Sequence, residues 1–208
     1  PQIVVNFAAE SHVDNSLKDP YTTIETNIKG TQVLLDAAVK FGVELFLQVS
    51  SDEVFGDLAD TPDRHIFTSY SRERPSSPYS VSKLAADHLV ESYVRTYGLN
   101  AIITRCSNNV GLGQDGSKFV PFVMRQILMG EPITVYGDGL QERDWIPVDD
   151  HCLKILEAMR ETLELDSLIG KSKRATKYLF GTGKTLTNLE MIEKICYVMG
   201  EDFEHVKN

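Results

Sequence analysis

The sequence predicts an α/β fold, a doubly wound parallel sheet, and three observations carry that expectation. Short apolar runs alternate with helical patterns along the first half of the chain. Each run is of the length and β-rich composition buried in a parallel sheet. Each run also ends in a polar segment, and in such sheets ligands sit beyond the carboxyl ends of the strands.

Taken in order, Ile3–Ala8 is the first strand pattern. Tyr21–Phe41 is expected to be one helix, with Ile24, Ile28, Val33, Leu34, Ala37 and Ala38 at helical spacing and Gly42 as its stop. Glu44–Ser50 is a second strand, Tyr79–Tyr97 a second long helix ended by Gly98, and Ala101–Thr104 a third strand. Strand, helix, strand, helix, strand implies parallel crossover connections. Further on, Lys118–Met129 is expected to be a helix interrupted near its start by Pro121, and Thr134–Gly139 a strand and turn. Asp149–Glu161 is a helix, Leu165–Ala175 a surface loop, Lys177–Phe180 a strand and Thr187–Met199 a helix.

Composition narrows the function classes. The chain has 208 residues, 42% hydrophobic and 25% charged, ordinary for a globular protein with a proper core. Its formal net charge of -9 makes it a poor non-specific partner for nucleic acid or anionic lipid. No apolar run reaches the length of a membrane span, and no leader segment is expected. Cys106, Cys152 and Cys196 are odd in number and lack CxxC spacing, so neither a disulfide framework nor a metal site is expected. A reducing, cytoplasmic setting fits.

Two constellations carry chemistry. Tyr79 and Lys83 are four residues apart near a helix start, hence on one face. An ammonium beside a phenol favours the phenolate, so the pair is expected to lower the Tyr79 pKa and make it an acid/base for a sugar hydroxyl. Alone, that spacing is a weak signal. The second is Ser51-Asp52-Glu53, two adjacent carboxyl groups after a buried strand with a hydroxyl before them. If one is held protonated and the other ionised, the pair can eliminate water.

Together with Asn6–Asp14, Thr26–Thr31, Thr104–Asn109, Val135–Gly139 and Arg143-Asp144-Trp145, these segments resemble the extended short-chain dehydrogenase/reductases. Within them they are most similar to the nucleotide-sugar 4,6-dehydratases that act on dTDP-glucose. The resemblance covers nearly the whole chain in order. It implies an NAD-binding Rossmann-type domain with a smaller C-terminal substrate-binding region. The expected division is 1–107 and 146–182 for the Rossmann part, and 108–145 and 183–208 for the substrate part. No Gly-rich phosphate turn precedes Ile3, so the expectation is a chain truncated at both ends, its N-terminal strands missing.

The resemblance also implies roles. Tyr79 would take the proton of the sugar's 4-hydroxyl while NAD accepts hydride from C4 and later returns it to C6. Glu53 would remove the C5 proton, Asp52 would protonate the departing 6-hydroxyl, and Ser51 and Lys83 would complete the catalytic group. Phe7, Ala8, Ala9, Ser11, Thr26, Tyr79, Lys83 and Asn109 would line the NAD site. Ser11, Ser51, Asn108, Lys118, Thr134, Tyr136 and Arg143 would hold the nucleoside-diphosphate sugar.

Sister 4-epimerases and decarboxylases share the Tyr/Lys pair but typically lack the Asp-Glu pair, so Asp52-Glu53 is the discriminating feature. A nucleotide-binding regulator on the same fold is a further alternative. Ser51 stands where the family usually has threonine. Val110, Leu112 and Asp115-Gly116-Ser117 also depart from the family pattern, which leaves the nucleotide base open. His12 is equally compatible with a structural role. A homodimer is implied, with the helices at Tyr21–Phe41 and Tyr79–Tyr97 pairing across a two-fold axis and Leu89 and Val90 facing outward.

Overall fold

The computed structural model describes residues 1–57, 67–68, 71–135 and 137–203. In chain order the elements are β1 (Ile3–Asn6), α1 (Val13–Lys18), α2 (Pro20–Ile24), a π-helical turn (Glu25–Lys29), α3 (Gly30–Lys40) and β2 (Leu45–Ser51). A 3₁₀ turn (Asp52–Phe55), α4 (Pro78–Tyr97), β3 (Ala101–Cys106), β4 (Asn108–Val110) and α5 (Phe119–Met129) follow. Then come β5 (Glu142–Pro147), α6 (Val148–Ile169), β6 (Thr176–Phe180), β7 (Thr185–Thr187) and α7 (Asn188–Met199).

The chain divides into two compact units, Pro1–Cys106 with Cys152–Phe180, and Ser107–His151 with Gly181–Asn208. The first holds a four-stranded, all-parallel sheet in the order β1-β2-β3-β6. Its inner strands β2 and β3 are buried at every residue, as a sheet covered on both faces requires. Leu35 and Ala38 of α3, and Val90, Tyr93 and Val94 of α4, pack with Phe46 and Ile103 into its core. Strand register explains two buried amides: Asn6 lies opposite Gln48, and its Nδ2 donates to Gln48 Oε1 at 2.9 Å. The second unit has a three-stranded sheet in which β4 and β5 are parallel and β5 and β7 antiparallel. Its core joins Val123 and Ile127 of α5 to Ile192, Ile195 and Cys196 of α7.

Several expectations are corrected. The helix over Tyr21–Phe41 contains a π turn, whose extra residue rotates the phase of the pattern. That is why Ile24 and Val33 are 47% and 60% exposed while Leu35 and Ala38 form the buried face. Val90 is fully buried in its own core rather than facing outward, and Leu89 packs against that core. Pro121 does not interrupt α5, because at the third helical position its missing N–H has no intrahelical acceptor to lose. Residues Leu165–Ile169 are the end of α6, not a loop, where Asn100 Nδ2 holds Asp166 Oδ2 at 2.6 Å. Thr134 and Val135 form no ladder, and Gly137-Asp138 is a turn; Tyr136 lies outside the described residues. Gly139 (φ 72°) closes this segment, and a Cβ there would meet Leu189 at 2.7 Å. Strands β4, β5 and β7 are too short and polar to read as alternating patterns.

Candidate active site

The site of the first unit is built where β2 ends and α4 begins. Ser51, the last residue of β2, caps the 3₁₀ turn by accepting from the Glu53 amide at 3.2 Å. This cap turns the chain so that Val54 and Phe55 are buried while Asp52 and Glu53 remain partly exposed. Gly56 then adopts φ 83°, and a Cβ there would run into the Arg74 carbonyl oxygen. The Arg74 amide in turn donates to Val54 O at 3.0 Å.

Helix α4 starts with a capping box between Ser77 and Ser80 and with Pro78 in its first turn. That start places Tyr79 and Lys83 one turn apart, facing the end of β2. Three residues of α4 spaced by four engage three consecutive residues of β2. The Ser51 side chain lies beside the Tyr79 phenol and acts to lower its pKa. Lys83 Nζ donates to Val49 O at 2.7 Å. Asp87 Oδ2 accepts from Ser50 Oγ at 3.0 Å.

The electrostatics correct one expectation. Burial pushes the Tyr79 phenol well above its ordinary value, the Ser51 hydrogen bond acts downward, and the nearby charges of Glu53 and Asp52 push it up again. Burial therefore outweighs the effect expected of Lys83, whose ammonium donates to the Val49 carbonyl. Lys83 itself is shifted down by burial, an effect opposed first by Asp87. An ammonium carries three donors, and those not used on Val49 suit the hydroxyls of a ribose.

The loop after β1 carries the other residues of this unit. Phe7 is 56% exposed, Ala8 and Ser11 are exposed, Ala9 is partly buried, and Thr26 is exposed on the π turn. What holds this loop escaped the sequence. Asn27, inside the π turn and 2% exposed, accepts from the Glu10 amide (2.8 Å) and donates to the Glu10 carbonyl (3.0 Å) and to Ser82 Oγ (2.8 Å). Ser82 Oγ donates to the Tyr79 carbonyl at 2.7 Å, and the buried Ser16 accepts from the Tyr79 amide at 3.2 Å. No signal in the sequence marks Asn27, a polar residue in a helical pattern.

In the second unit, Asn108 and Asn109 lie on β4 and are partly buried. Asn109 Oδ1 accepts from Nδ1 of the buried His151 at 2.7 Å. Burial lowers the His151 pKa, so the ring is neutral at neutral pH, a structural role that its isolated spacing did not announce. Lys118 is the residue before α5 and partly exposed; Thr134 and Arg143 are exposed, Arg143 opposite Leu186 in the β5–β7 ladder. The neighbours of Arg143 are structural. Asp144 accepts from the amides of Thr182 (2.8 Å) and Gly183 (2.9 Å). Trp145 is buried against Phe119, with ring centroids 5.7 Å apart.

The sequence of the NAD dependent epimerase/dehydratase family matches this chain over residues 1–167. The chain belongs to that family. Family relatives include the dTDP-glucose 4,6-dehydratase of Xanthomonas campestris pv. campestris, 41% identical over 97% of this chain and 56% of that protein. Another, from Streptomyces antibioticus, is 43% identical over 90% of this chain and 52% of its own length. The chain thus spans about half the length of the curated relatives it matches. Among solved structures, the dTDP-glucose 4,6-dehydratase DesIV of Streptomyces venezuelae, with NAD bound, superposes with a TM-score of 0.83 at 37% identity, over 98% of this chain and 59% of that one. UDP-glucose 4-epimerase of Thermotoga maritima superposes with a TM-score of 0.80 at 26% identity, over 97% and 62%.

Proposed function

We propose that the protein is an NAD-dependent nucleotide-sugar 4,6-dehydratase, converting a nucleoside-diphosphate hexose, with dTDP-glucose the preferred candidate, to its 4-keto-6-deoxy sugar. The observation that carries this reading is the end of β2, where Lys83 Nζ donates to Val49 O at 2.7 Å and Ser51 caps the turn that bears Asp52 and Glu53, accepting from the Glu53 amide at 3.2 Å. An alcohol-oxidising pair and a water-eliminating pair thus share one strand end. The relatives named dTDP-glucose 4,6-dehydratase support the choice of reaction.

The residues present fit the cofactor. The exposed Phe7–Ala9 loop and the buried Lys83 ammonium suit a nicotinamide ribose, with Ser11, Thr26 and Asn109 as further candidates to hold it. NAD, when bound, supplies a two-electron acceptor at C4 of the sugar and returns the same electrons at C6.

The chain's own groups do the proton work. Tyr79 Oη takes the 4-hydroxyl proton, with Ser51 Oγ holding the same oxygen. Since burial keeps Tyr79 a phenol at rest, the base is generated only as ligands fill the site. With C4 a ketone, the C5 proton becomes acidic. The Glu53 carboxylate takes that proton, and the Asp52 carboxylic acid protonates the 6-hydroxyl, which leaves as water. Glu53 then returns its proton to C5, and Asp52 takes back from solvent the equivalent of the proton that the Tyr79 phenol released when the base was generated, so the net change is loss of water. Asn108, Lys118, Thr134, Tyr136 and Arg143 are assigned to the nucleoside diphosphate and the sugar.

The 4-epimerase reading draws on the Thermotoga maritima superposition, but an epimerase has no use for an Asp-Glu pair. Mass spectrometry of the product separates the two. Loss of water from dTDP-glucose supports dehydration; inversion at C4 with no change in mass sinks it. We also assign a homodimer, through the helices that expose Tyr21, Val33 and Val81; a monomer in sedimentation at micromolar concentration would refute it. A cytoplasmic location agrees with Cys106, Cys152 and Cys196 forming no disulfide. Among the described residues no helix is long and apolar enough to cross a membrane.

A further inference from the structure

We infer that Arg105 is a positioning residue for the acid/base turn, holding Asp52 and Glu53 in register through the ring of Phe55. The inference rests on the dehydratase reading. It begins from what anchors the 3₁₀ turn. Asp52 and Glu53 are its partly exposed half; Val54 and Phe55 are its buried half, 0% and 1% exposed. The Phe55 ring stacks with that of Phe67 (centroids 5.0 Å apart, 27° between planes) and meets the Arg105 guanidinium, whose carbon is 5.0 Å from the ring centroid.

Arg105 is itself immobilised. It is 3% exposed on β3, opposite Ser50 in the strand register. Its Nε donates to Asp87 Oδ2 at 3.0 Å, and its Nη2 lies 3.0 Å from that same oxygen. Nη2 also donates to Glu73 Oε1 at 2.6 Å. Glu73 immediately precedes Arg74, whose amide closes onto Val54 O at 3.0 Å. From the strand position opposite Ser50, one side chain therefore touches three parts that frame the turn: the helix that carries Tyr79, the segment folded back over the turn, and the ring at the turn's base.

The chemistry calls for an arginine. The edge of the guanidinium is committed to the two carboxylates, and its flat face is what remains for the Phe55 ring. A lysine could neutralise one carboxylate, but it has no plane to present. A turn whose base can shift would misplace Asp52 and Glu53 relative to the sugar. It would leave the Tyr79–Lys83 pair, held by the capping box of its helix, by the Tyr79 amide's bond to Ser16 and by the Lys83 bond to Val49, where it is.

The distinguishing experiment uses the full-length, NAD-loaded protein with dTDP-glucose, in single turnovers followed by the near-ultraviolet absorbance of reduced nicotinamide and by product formation. Arg105→Lys is expected to slow product formation on the order of 10- to 100-fold with KM little changed. The reduced-nicotinamide signal should persist, because oxidation proceeds and elimination lags. The Glu53 amide, which donates to Ser51 Oγ, should exchange its hydrogen faster. A folded Arg105→Lys protein with wild-type product formation overturns the inference, and so does one in which the reduced signal never forms. Phe55→Leu leaves the ion pairs intact and decides the matter should Arg105→Lys not fold. The same persistent signal supports the inference, and wild-type kinetics refute it. Wild-type protein that dehydrates no nucleoside-diphosphate hexose sinks the dehydratase reading and this inference with it, before any variant is compared.

Discussion

Two polar networks lie under the strand ends of the first unit, and they are built differently. Beneath the loop after β1, Asn6, Gln48, Thr31, Asn27, Ser82 and Ser16 form a neutral lattice. Beneath the turn after β2, Ser50, Asp87, Arg105 and Glu73 form a charged one, extended by Lys177 to Glu73 (3.4 Å) and Glu91 (2.8 Å). A neutral lattice satisfies buried backbone without a field, which suits a loop that only has to present small residues and amides. A charged lattice costs desolvation, and it is placed where the Tyr79, Asp52 and Glu53 groups would exchange protons. The difference teaches that this unit spends charge under the acid/base turn and uses amides under the loop.

The largest effect expected from breaking that division is on turnover. Glu53→Gln removes the proposed base from the turn and leaves both lattices intact, so on the dehydratase reading turnover with dTDP-glucose should fall on the order of 10²- to 10⁴-fold with thermal stability unchanged. An equal loss of stability would mean that Glu53 belongs to the scaffold. Next comes the buried ion pair. Arg105→Met strands Asp87, which is 0% exposed, and should cost about 3–5 kcal/mol in denaturant unfolding. The double variant Arg105→Met with Asp87→Leu should recover most of that, since replacing both charges by apolar groups is often neutral. If the double variant is no more stable than the single, the charges themselves hold the fold.

That contrast also marks what the sequence could convey. The strands were legible because Leu45–Val49 and Ala101–Thr104 are largely apolar runs, buried at every residue. The helices α4 and α7 were legible from caps such as Gly98 and Thr187. The π turn was not, because an inserted residue rotates the phase without altering composition. Motif spacing could name Tyr79, Lys83, Asp52 and Glu53, but not what braces them. Ser50, Asp87 and Arg105 come from three elements whose meeting depends on strand register. Asn27 looks like any polar residue on a helix until Glu10, seventeen positions earlier, folds onto it. The direction of the Tyr79 shift was missed for a related reason. Spacing puts Lys83 on the right face, yet only the structure reveals how far burial of the phenol outweighs it.

The neutral lattice should give a smaller effect. Asn27→Ala leaves the amide and carbonyl of Glu10 without their partner, a loss of about 1–3 kcal/mol. Because the same side chain reaches Ser82, which holds the Tyr79 carbonyl, KM for NAD should rise as the Phe7–Ser11 loop loosens. Unchanged NAD binding in the folded variant would separate the lattice from the cofactor loop and confine it to stability.

The smallest effect is at the rim of the charged lattice, and it depends on pH. Burial pushes the Glu73 carboxyl up, but the hydrogen bond and charge of Arg105, with Lys177 and His88, outweigh it and hold the group below its ordinary value of 4.5. A carboxyl depressed by folding contributes stability that is complete above its unfolded pKa and is lost as pH falls through its folded one. Glu73→Gln should therefore lower the melting temperature slightly near neutrality, and the difference from wild type should shrink as pH falls below 4.5. Glu73 is partly open to solvent, so the effect should also weaken in high salt, unlike that of the enclosed Asp87. A melting difference that is flat from neutral to acidic pH would place the worth of Glu73 in packing, and the charged lattice would then end at Asp87.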